Sequence, residues 1–506
     1  MPTPLFTPEQ VRAMDARAFA RGVAEDALME RAAGHLARAV REVGGRTYGL
    51  RVGLLCGKGN NGADGLGAAR LLRRAGAHPV ACVVDGADAL EGLPALQRDR
   101  LLAAGGRLVD DPRQAVAGAD VVVDALLGTG ASGALREPYL EAVETLAAAG
   151  APVVACDIPT GVDAATGAVD GPAVDAARTV TLGAEKVGLR LWPARGHCGD
   201  LVVGDLGIVE DDEPAAVVLD DADAAAALPP PDAGAHKRSR GTVVVLAGSD
   251  DLRGAAVLAA RGALAGGAGL VTVATTPAAR ESVATAVPEA LTLALPAEAD
   301  AAVEALAPAL DRADALVVGP GLGLSEPTVA LVRRVVADAG LPLVLDADGL
   351  NAFADEPAAL GGHASPRLVL TPHAGELARL ADAEAYPDRA RRATALAAQW
   401  RATLLLKGPG TLVAEPDGPV FVTASGTAAL ATGGTGDVLS GLLGAALAAA
   451  PDRGEVVAAA AHLHGRAGEH AAERLDARSV TAGAVAEALG PALARLRGQD
   501  GGGPRP

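Results

Sequence analysis

The segment 431–441 combines a glycine-rich loop with an acidic residue at the start of a predicted helix. It reads ATGGTGDVLSG, and the apolar run that begins at Val438 predicts the helix. Glycine lets backbone N–H groups converge without a Cβ atom between them, and the first N–H groups of a helix have no partner within it. The segment therefore predicts a site for phosphate or another anion. Asp437 could cap the helix, or it could be a base that takes a proton from a substrate hydroxyl beside that anion.

A second glycine-rich loop, KGPGT at 407–411, follows the apolar segment 403–406. Its backbone can wrap a phosphate or an adenylate, with Lys407 and Thr411 supplying side-chain contacts. The loop lacks the G-x-x-x-x-G-K spacing of the P-loop, so it is not that kind of nucleotide site.

Acidic side chains also accompany predicted strands in the first part of the chain. The apolar strand segments are 51–56, 119–125 and 152–158. Asp64, Asp124 and Asp157 lie beside the glycine-containing loops that follow them, where ligands bind in parallel α/β sheets. One such acid would be an ordinary loop or helix cap, but three at successive strand ends favour a site. Asp157 is the candidate acid–base, and Lys186 in GAEKVG is a weaker one.

Strands and helices alternate along the chain, which predicts α/β domains with parallel sheets. TPEQ at 7–10 predicts the first helix start, with Thr7 as N-cap and Gln10 completing a capping box. The strand pattern restarts at residue 241, after an acidic segment rich in Ala and Pro at 211–235 that is typical of a connector. We therefore expect two α/β domains.

Composition excludes several classes of function. The 506 residues carry a formal charge of −18, which argues against a nucleic-acid partner. No apolar run is long enough to span a bilayer, and the N-terminus does not have the pattern of a signal peptide. The four cysteines form no C-x-x-C, which fits a reducing compartment. We expect a cytoplasmic protein without membrane or nucleic-acid partners.

The second half resembles a known superfamily. KGPGT at 407–411 followed by GGTGD at 433–437 resembles the ribokinase-like proteins. The segments 241–249, 319–323 and 371–376 are more specifically similar to the branch of ADP/ATP-dependent NAD(P)H-hydrate dehydratases. This resemblance implies a ribokinase-like three-layer α/β sandwich at 236–498.

The first half resembles the NAD(P)H-hydrate epimerase domain, which many bacteria fuse to the dehydratase. The segments that carry the resemblance are 59–65, 124–130 and 157–161. It implies a Rossmann-like three-layer α/β sandwich at 1–215, a linker at 216–235 and, after the second domain, a disordered tail at 499–506. The sequence departs from the family at Ala63, which replaces a glycine of N-N-G-G-D, and a side chain there would be strained if φ were positive. It departs again at Ala374 in the H-P-G-E motif and lacks the asparagine usual near 425–428.

Together these resemblances imply repair of damaged nicotinamide cofactors. NADH and NADPH take up water across the ring and give hydrates, NADHX and NADPHX, in R and S forms. An epimerase interconverts the two forms, and the dehydratase phosphorylates the S form at the expense of ADP, giving AMP, phosphate and NAD(P)H. The alternative is a ribokinase-like vitamin-precursor kinase with a non-catalytic N-terminal ligand-binding domain. That alternative would not explain the first domain or segment 371–376.

The resemblance also implies roles for individual residues. Asp437 and Asp157 would be catalytic, and the N–H groups of Gly433, Gly434 and Gly436 would hold developing negative charge. Residues implied to contact the nucleotide are Lys407, Gly408, Pro409, Gly410, Thr411 and Gly436. Residues implied to contact the hydrate are Asn60, Asn61, Gly62, Ala63, Asp64, Gly128, Thr129, Gly130, Ala131, Ser132, Gly133, Ala134 and Asp157 in the first domain, and Ala256, Gly321, Gly323, His373 and Asp437 in the second. His373 could instead bridge backbone groups of a turn, and Ala256 could be ordinary helix packing.

Cofactors and assembly follow from the same likeness. Asn61, Asp124 and Thr160 would bind K⁺ through hard oxygen atoms. Asp346 and Asp348 could cap a helix, or they could hold Mg²⁺ near the nucleotide. We expect a homo-oligomer, as for fused members of the family. The sequence leaves open ADP against ATP, NADHX against NADPHX and the number of subunits.

Overall fold

A computed structural model describes residues 2–209, 212–382, 385–386, 388–451 and 454–498. The chain divides into two compact units, one of Pro4–Ala216 and one that joins residues 2–3 to the chain from Val217 onward. No helix in these described ranges is both long enough and apolar enough to cross a membrane. The tail expected to be disordered, 499–506, lies outside the described residues.

The first unit is built around a parallel sheet. The strands up to residue 216 are β1 (Thr3–Leu5), β2 (Arg51–Cys56), β3 (His78–Val83), β4 (Arg107–Val109), β5 (Val121–Ala125), β6 (Val153–Cys156), β7 (Arg178–Leu182) and β8 (Asp200–Gly204). The helices are α1 (Pro8–Ala20), α2 (Glu25–Gly44), α3 (Asn60–Arg74), α4 (Gly92–Ala103), α5 (Pro112–Val116) and α6 (Tyr139–Ala148). The sheet order is β4-β3-β2-β5-β6-β7-β8, with every neighbouring pair parallel.

Helices cover both faces of this sheet, which is why its central strands are almost continuously apolar. One face packs against α2 and α3 through residues such as Leu36 and Leu66. The other face packs against α5 and α6 through residues such as Val116 and Leu146. The strand order reverses direction at β2, so the loops after β2 and β5 diverge and leave a crevice at their carboxyl ends.

The second unit is a larger sandwich of the same class. Its strands are β9 (Ala216–Val218), β10 (Thr242–Leu246), β11 (Leu270–Thr275), β12 (Leu291–Ala294), β13 (Ala315–Val318), β14 (Leu343–Leu345), β15 (Leu368–Leu370), β16 (Thr403–Leu406), β17 (Leu412–Ala414) and β18 (Val420–Val422). Its helices are α7 (Asp221–Ala227), α8 (Arg253–Ala265), α9 (Pro277–Ala286), α10 (Ala299–Leu310), α11 (Glu326–Asp338), α12 (Asp348–Asn351), α13 (Ala374–Leu380), α14 (Arg389–Trp400), α15 (Thr435–Ala449), α16 (Val456–Arg474) and α17 (Ala482–Leu496).

The strands of the second unit run in the order β9-β18-β17-β16-β15-β14-β13-β10-β11-β12. The pairs β16–β17 and β17–β18 are antiparallel, and the other neighbouring pairs are parallel. The parallel strands bring the loops after β13, β14, β15 and β16 to one edge of the sheet, as the sequence pattern predicts. Helix α15 packs against α8 and carries the GGTGD motif to that same edge.

The structure differs from the expected linker at 216–235. This segment contains β9 and α7, and α7 begins with a capping box formed by Asp220 and Asp223. Ala224 and Ala227 are buried, and Asp221 accepts a hydrogen bond from Arg466. Alanine side chains are small, so the sequence of this segment lacks the large apolar residues that usually mark a packed helix. The segment is folded nevertheless. The segment is therefore part of the second unit.

Candidate active sites

The first unit contains a cavity of about 560 Å³ at the carboxyl ends of its strands. Most of the residues that the sequence nominated for the hydrate line it. They are Asn60, Asn61, Asp64, Gly128, Thr129, Gly130, Ala131 and Asp157. Ser132 and Gly133 line a smaller neighbouring recess, while Gly62 and Ala63 lie in the buried first turns of α3. Ala134 lines neither of these two hollows.

Asp157 and Lys186 form an ion pair within this cavity. Lys186 Nζ lies 2.5 Å from Asp157 Oδ1 and also donates to the carbonyl oxygen of Leu182 at 2.7 Å. The side chain of Lys186 is only 1% exposed. Asp157 has a φ of 67°, a conformation that Asp tolerates better than most residues, and the N–H of Leu182 donates to its Oδ1. The two nominated acid–base candidates therefore form one coupled unit.

Asp64 contributes a second carboxyl group to the cavity. Its side chain is buried, and this burial together with the nearby charges of Asp157 and Asp15 raises its pKa well above the ordinary value. This shift favours the neutral form of Asp64, in which the carboxyl group can donate a hydrogen bond.

The substitution at Ala63 causes no backbone strain. Ala63 lies inside α3 and is not among the residues with positive φ. The preceding Gly62 is the position that a side chain would disrupt, since its Cβ would lie 1.8 Å from the carbonyl oxygen of Gly57. The strain considered for Ala63 is therefore absent, because this part of the motif is helical rather than a left-handed turn.

The three nominated potassium ligands are joined through the peptide of Leu127. Thr160 donates from Oγ1 and from its backbone N–H to the buried carboxylate of Asp124, at 2.7 Å in each case. The Leu127 N–H donates to Thr160 Oγ1, and Asn61 Nδ2 donates to the Leu127 carbonyl oxygen. Burial raises the pKa of Asp124 to about 6, although these hydrogen bonds oppose the shift.

Asn61 Oδ1 is buried and has no hydrogen-bond partner. Such an atom costs free energy unless a cation or a donor satisfies it, so the donor set fits a hard cation. In the described part of the chain, no group of three or more His, Cys, Asp and Glu side chains is arranged to hold a metal. A cation here would therefore rely on amide and hydroxyl oxygens as well as Asp124.

Asp15 is a residue of this cavity that the sequence analysis did not nominate. It lies on α1 and lines the cavity together with Val11, Arg12 and Phe19 of the same helix. Burial raises its pKa, the charges of Asp157 and Glu25 add to that shift, and Lys186 opposes it. The only signal in the sequence was an acid spaced four residues from both Val11 and Phe19 on a well-capped helix.

In the second unit, Asp437 lies in the first turn of α15. Gly434 caps this helix with a φ of 90°, and a Cβ there would lie 2.5 Å from the Cδ1 atom of Leu258. Only glycine therefore fits this position without rearrangement. The helix start supplies unpaired N–H groups beside the Asp437 carboxylate, as the sequence predicted.

His464 holds the start of α15 in place. It is buried on α16, and its Nε2 donates to the carbonyl oxygen of Thr435 at 3.0 Å. Burial lowers its pKa to about 4, so the imidazole is neutral near pH 7. No motif pointed to this residue, because its role depends on packing between two distant helices.

Asp437 has a strongly perturbed carboxyl group. Burial raises its pKa to about 7, the negative charges of Asp346, Asp348 and Glu376 add to the shift, and Lys407 opposes it. A carboxylate with a pKa near neutrality is matched to proton transfer at physiological pH. This pKa therefore favours a base over a simple helix cap, and the catalytic role of Asp437 stays a prediction.

Lys407 points to a buried carboxylate. Its Nζ lies 2.7 Å from Asp346 Oδ1 and 3.7 Å from Glu376 Oε2. Ser440 Oγ donates to the other oxygen of Asp346 at 2.6 Å. Burial alone would raise the pKa of Asp346, but the charge and hydrogen bond of Lys407 outweigh it and hold that pKa below the ordinary value. Asp346 is therefore an anion whose two oxygens are both engaged.

The rest of the 407–411 loop is shaped by glycine. Gly408 and Gly410 have positive φ angles of 146° and 61°. Thr411 Oγ1 donates to the Gly408 carbonyl oxygen, which closes the loop. A Cβ on Gly436 would lie 3.5 Å from Lys407 Nζ, so the two glycine-rich segments named for the nucleotide meet at this lysine.

The nominated hydrate residues of the second unit differ in their surroundings. Gly321 and Gly323 follow β13 with φ angles of 63° and 76°, and the Gly323 N–H donates to Asp348 Oδ2. His373 caps α13, and its Nδ1 accepts from the N–H groups of Gly375 and Glu376. Ala256 is fully buried in α8, where its Cβ would lie 2.8 Å from a Cβ placed on Gly248. His373 and Ala256 thus each have a local structural role, and their contacts with the hydrate stay predictions.

The carboxylates considered for Mg²⁺ both make hydrogen bonds within the protein. Lys407 and Ser440 occupy the oxygens of Asp346. Asp348 Oδ2 accepts from Gly323, and its Oδ1 accepts from the amide of Asn351 at 3.4 Å. A carboxylate oxygen that accepts one hydrogen bond keeps a further lone pair, so Mg²⁺ held by these side chains together with water and nucleotide phosphate stays a prediction.

Comparison with known proteins places this geometry in a family. The family model for NAD(P)H-hydrate dehydratase matches residues 243–490, and the one for the YjeF-related protein N-terminus matches residues 25–188. A bifunctional NAD(P)H-hydrate repair enzyme of Salinibacter ruber is 39% identical over 492 residues, which cover 91% of this chain and 90% of the relative. The chain belongs to the bifunctional NAD(P)H-hydrate repair enzyme family. A member from Mycobacterium tuberculosis H37Rv is 41% identical, with 90% of this chain and 91% of the relative covered.

Bifunctional NAD(P)H-hydrate repair enzymes thus match this chain across both of its units. The family expectation and the two-domain α/β fold are confirmed. The vitamin-precursor kinase is not favoured, because such a kinase would leave the first unit unexplained. Among solved structures, an ADP/ATP-dependent NAD(P)H-hydrate dehydratase of Bacillus subtilis is 31% identical, with a TM-score of 0.47, and the match covers 55% of this chain and 97% of that chain.

Proposed function

We propose that the chain repairs hydrated nicotinamide cofactors, with epimerisation in the first unit and nucleotide-dependent dehydration in the second. The observation that carries the second activity is the Asp437 carboxylate, whose pKa of about 7 and position at the start of α15 suit a general base. The Asp157–Lys186 pair inside a cavity is the corresponding feature of the first unit.

The dehydration begins with proton removal. Asp437 takes the proton of the ring hydroxyl of the S hydrate, and the hydroxyl oxygen bonds to the terminal phosphorus of ADP as AMP leaves. Hydroxide is a poor leaving group, whereas phosphate is a good one. The ring C–O bond then breaks and a neighbouring carbon loses a proton, which restores the double bond of NAD(P)H. The N–H groups at the start of α15 and the charge of Lys407 stabilise the negative charge that develops.

The nucleotide would lie along the 407–411 loop. Its glycines allow the backbone to approach closely, and Lys407, Gly408, Pro409, Gly410, Thr411 and Gly436 are the proposed contacts. ADP is the proposed donor and ATP the alternative. Lys407 would act here as a fixed positive charge, because Asp346 already orients its ammonium group.

In the first unit, Asp157 would transfer protons to and from the ring hydroxyl while the loops 60–64 and 128–134 hold the hydrate. Asn61, Asp124 and Thr160 would hold K⁺, and the unpartnered Asn61 Oδ1 supports this assignment. The ion would organise the loop after β5. In line with the family resemblance, we also propose a cytoplasmic homo-oligomer.

The proposal is tested by the return of the absorbance band of reduced nicotinamide from a mixture of NADHX epimers. ADP, ATP and no nucleotide are compared. Full return with one nucleotide is expected for the unaltered chain. With Asp157→Asn the return of the band should stop near the S fraction, and with Asp437→Asn the nucleotide-dependent return should be slower by about 100-fold or more. Absence of return with either nucleotide in the unaltered chain would reject the proposed function.

A further inference from the structure

The N-terminal segment is bonded to the backbone on both sides of Lys186. The N–H of Phe6 donates to the Glu185 carbonyl oxygen, and the N–H of Val187 donates to the Phe6 carbonyl oxygen, each at 2.9 Å. Lys186 lies between these two contacts. Phe6 is fully buried beside Ala184, so the attachment is also apolar. The backbone that carries Lys186 and the backbone that starts α1 are therefore held together.

Helix α1 begins immediately after this attachment. Thr7 and Gln10 form the capping box that the sequence predicted. Val11 and Met14 are buried against Phe6 in the same small core. Because its start is capped and one face is packed, α1 has little freedom to rotate. The orientation of its cavity-lining residues is therefore fixed.

Asp15 is the acid that this helix presents to the cavity. It lines the same cavity as Asp157 and Lys186 but comes from a different structural element. Among the described residues, it has no hydrogen bond or ion pair with a side chain or backbone group. A half-buried carboxylate without a partner is costly to maintain, which makes Asp15 a candidate for a functional role.

Epimerisation sets a geometric requirement that a single acid–base group does not meet. The ring carbon bears its hydroxyl group on one face in the R hydrate and on the other in the S hydrate. Inversion by loss and return of water needs a proton donor on the face that water leaves and a proton acceptor on the face that water attacks. A group fixed on one wall of the cavity reaches only one of these faces.

We infer that Asp15 is the second catalytic acid–base residue of the first unit, serving the ring face opposite to the one served by Asp157. The inference rests on the proposed epimerase activity. In one direction, Asp15 protonates the hydroxyl group, the C–O bond breaks, and the lone pair of the ring nitrogen forms a C=N bond as water leaves. A water molecule then bonds to the same carbon from the other face, and Asp157 takes its proton. Nothing is oxidised or reduced, and the reverse direction exchanges the two roles.

The charges around Asp15 support this exchange of roles. Facing it are Asp157 and Lys186 from the strand ends, Glu25 from α2 and Asp64 from α3. Burial raises the pKa of Asp15, and this allows the carboxyl group to carry a proton closer to neutral pH than an exposed aspartate would. Lys186 stabilises the ionised form of whichever carboxylate has lost its proton.

The test uses the full-length chain without nucleotide, in water enriched in oxygen-18. Pure R and pure S hydrate are incubated separately, and chromatography with mass spectrometry reports both inversion and label. In the unaltered chain, inversion and labelling accompany each other for both epimers. With Asp15→Asn, inversion should fall at least about 100-fold. One epimer should still exchange its hydroxyl group with water through Asp157 while retaining its configuration.

Asp88→Asn is the matched control, because it makes the same change of acid to amide at an exposed position outside the cavity. This control should invert both epimers normally. Asp15→Glu should restore part of the inversion rate and return the pH-dependent limb that Asp15→Asn loses. An inversion rate within about threefold of the unaltered chain for Asp15→Asn would overturn the inference. Equal loss of inversion and exchange for both epimers would also overturn it, since a merely structural role predicts that result. Failure of the unaltered chain to invert either epimer would instead reject the epimerase itself.

Discussion

Lys407 Nζ lies 2.7 Å from Oδ1 of Asp346, a carboxylate that is only 1% exposed. The lysine of the nucleotide loop is therefore locked to the protein before any nucleotide arrives. This contact fixes a positive charge next to Asp437 and beside the start of α15. The same pair links the stability of the second unit to its chemistry, because both the fold and the base depend on the charge of Lys407.

Replacing Lys407 with methionine should destabilise the second unit. Asp346 would keep a buried negative charge without its partner, and removing one member of a buried ion pair costs about 3–5 kcal/mol of unfolding free energy. Denaturant unfolding measures the loss, and Lys237→Met is the control because Lys237 is exposed. The double change Lys407→Met with Asp346→Leu should recover part of the loss. A loss no larger than that of the control would contradict the assigned role of the pair.

The dehydration rate should rise with pH through about 7, because Asp437 must lose its proton to act as a base. Glu376→Gln should move this rise to lower pH, since the negative charge of Glu376 helps to raise the pKa of Asp437. Glutamine can still complete the capping box of α13, so the helix start should survive. The measurement is kcat/KM for S hydrate across pH. A shift to higher pH, or no shift, would show that Glu376 does not act on Asp437 in this way.

Asp437→Asn should separate catalysis from binding. The amide has the shape of the carboxylate but cannot accept the proton, so we expect kcat to fall by about 100- to 10,000-fold. ADP affinity, measured by calorimetry, should stay within about threefold because the proposed contacts of the nucleotide are intact. Asp417→Asn provides an exposed control on a loop. Retention of most of the turnover by Asp437→Asn would remove Asp437 from the mechanism.

Potassium should stabilise the first unit through Asn61. A ligand that binds only the folded state raises the unfolding temperature as its concentration rises. The unfolding temperature in K⁺ should therefore be higher than that in tetramethylammonium at equal ionic strength. Asn61→Leu should abolish this difference. Asn60→Ala should keep it, since the amide of Asn60 contacts Glu25 instead. An equal potassium effect in Asn61→Leu would place the ion elsewhere.

Local sequence reasoning predicted much of the fold and many of the site positions. The alternation of apolar strands with glycine-rich loops reveals where strands end, and parallel topology then brings Asp157 and the loop 128–134 to one edge. The Thr7 capping box and the helix after Gly434 follow from equally local rules. These features depend on residues that are neighbours in the chain.

The features that sequence reasoning missed depend on contacts between distant segments. His464 and Thr435 meet only because α16 packs against α15. The ammonium of Lys407 turns toward Asp346 because both lie at ends of strands separated by a third strand in the sheet. Asp15 lies on a helix whose own pattern shows only an amphipathic surface. No spacing within one segment encodes such pairings.

The attachment of Phe6 beside Lys186 has a practical consequence for where the first unit begins. The matched family region starts at residue 25, after α1 has ended. A chain cut at that boundary would retain the sheet and the glycine-rich loops. It would lose Phe6, a wall of the cavity and the backbone partners of the segment that carries Lys186. The matched family region therefore starts later than the part of the chain that the first unit needs for its cavity. The shortest active fragment of the first unit should include the chain from Leu5 onward.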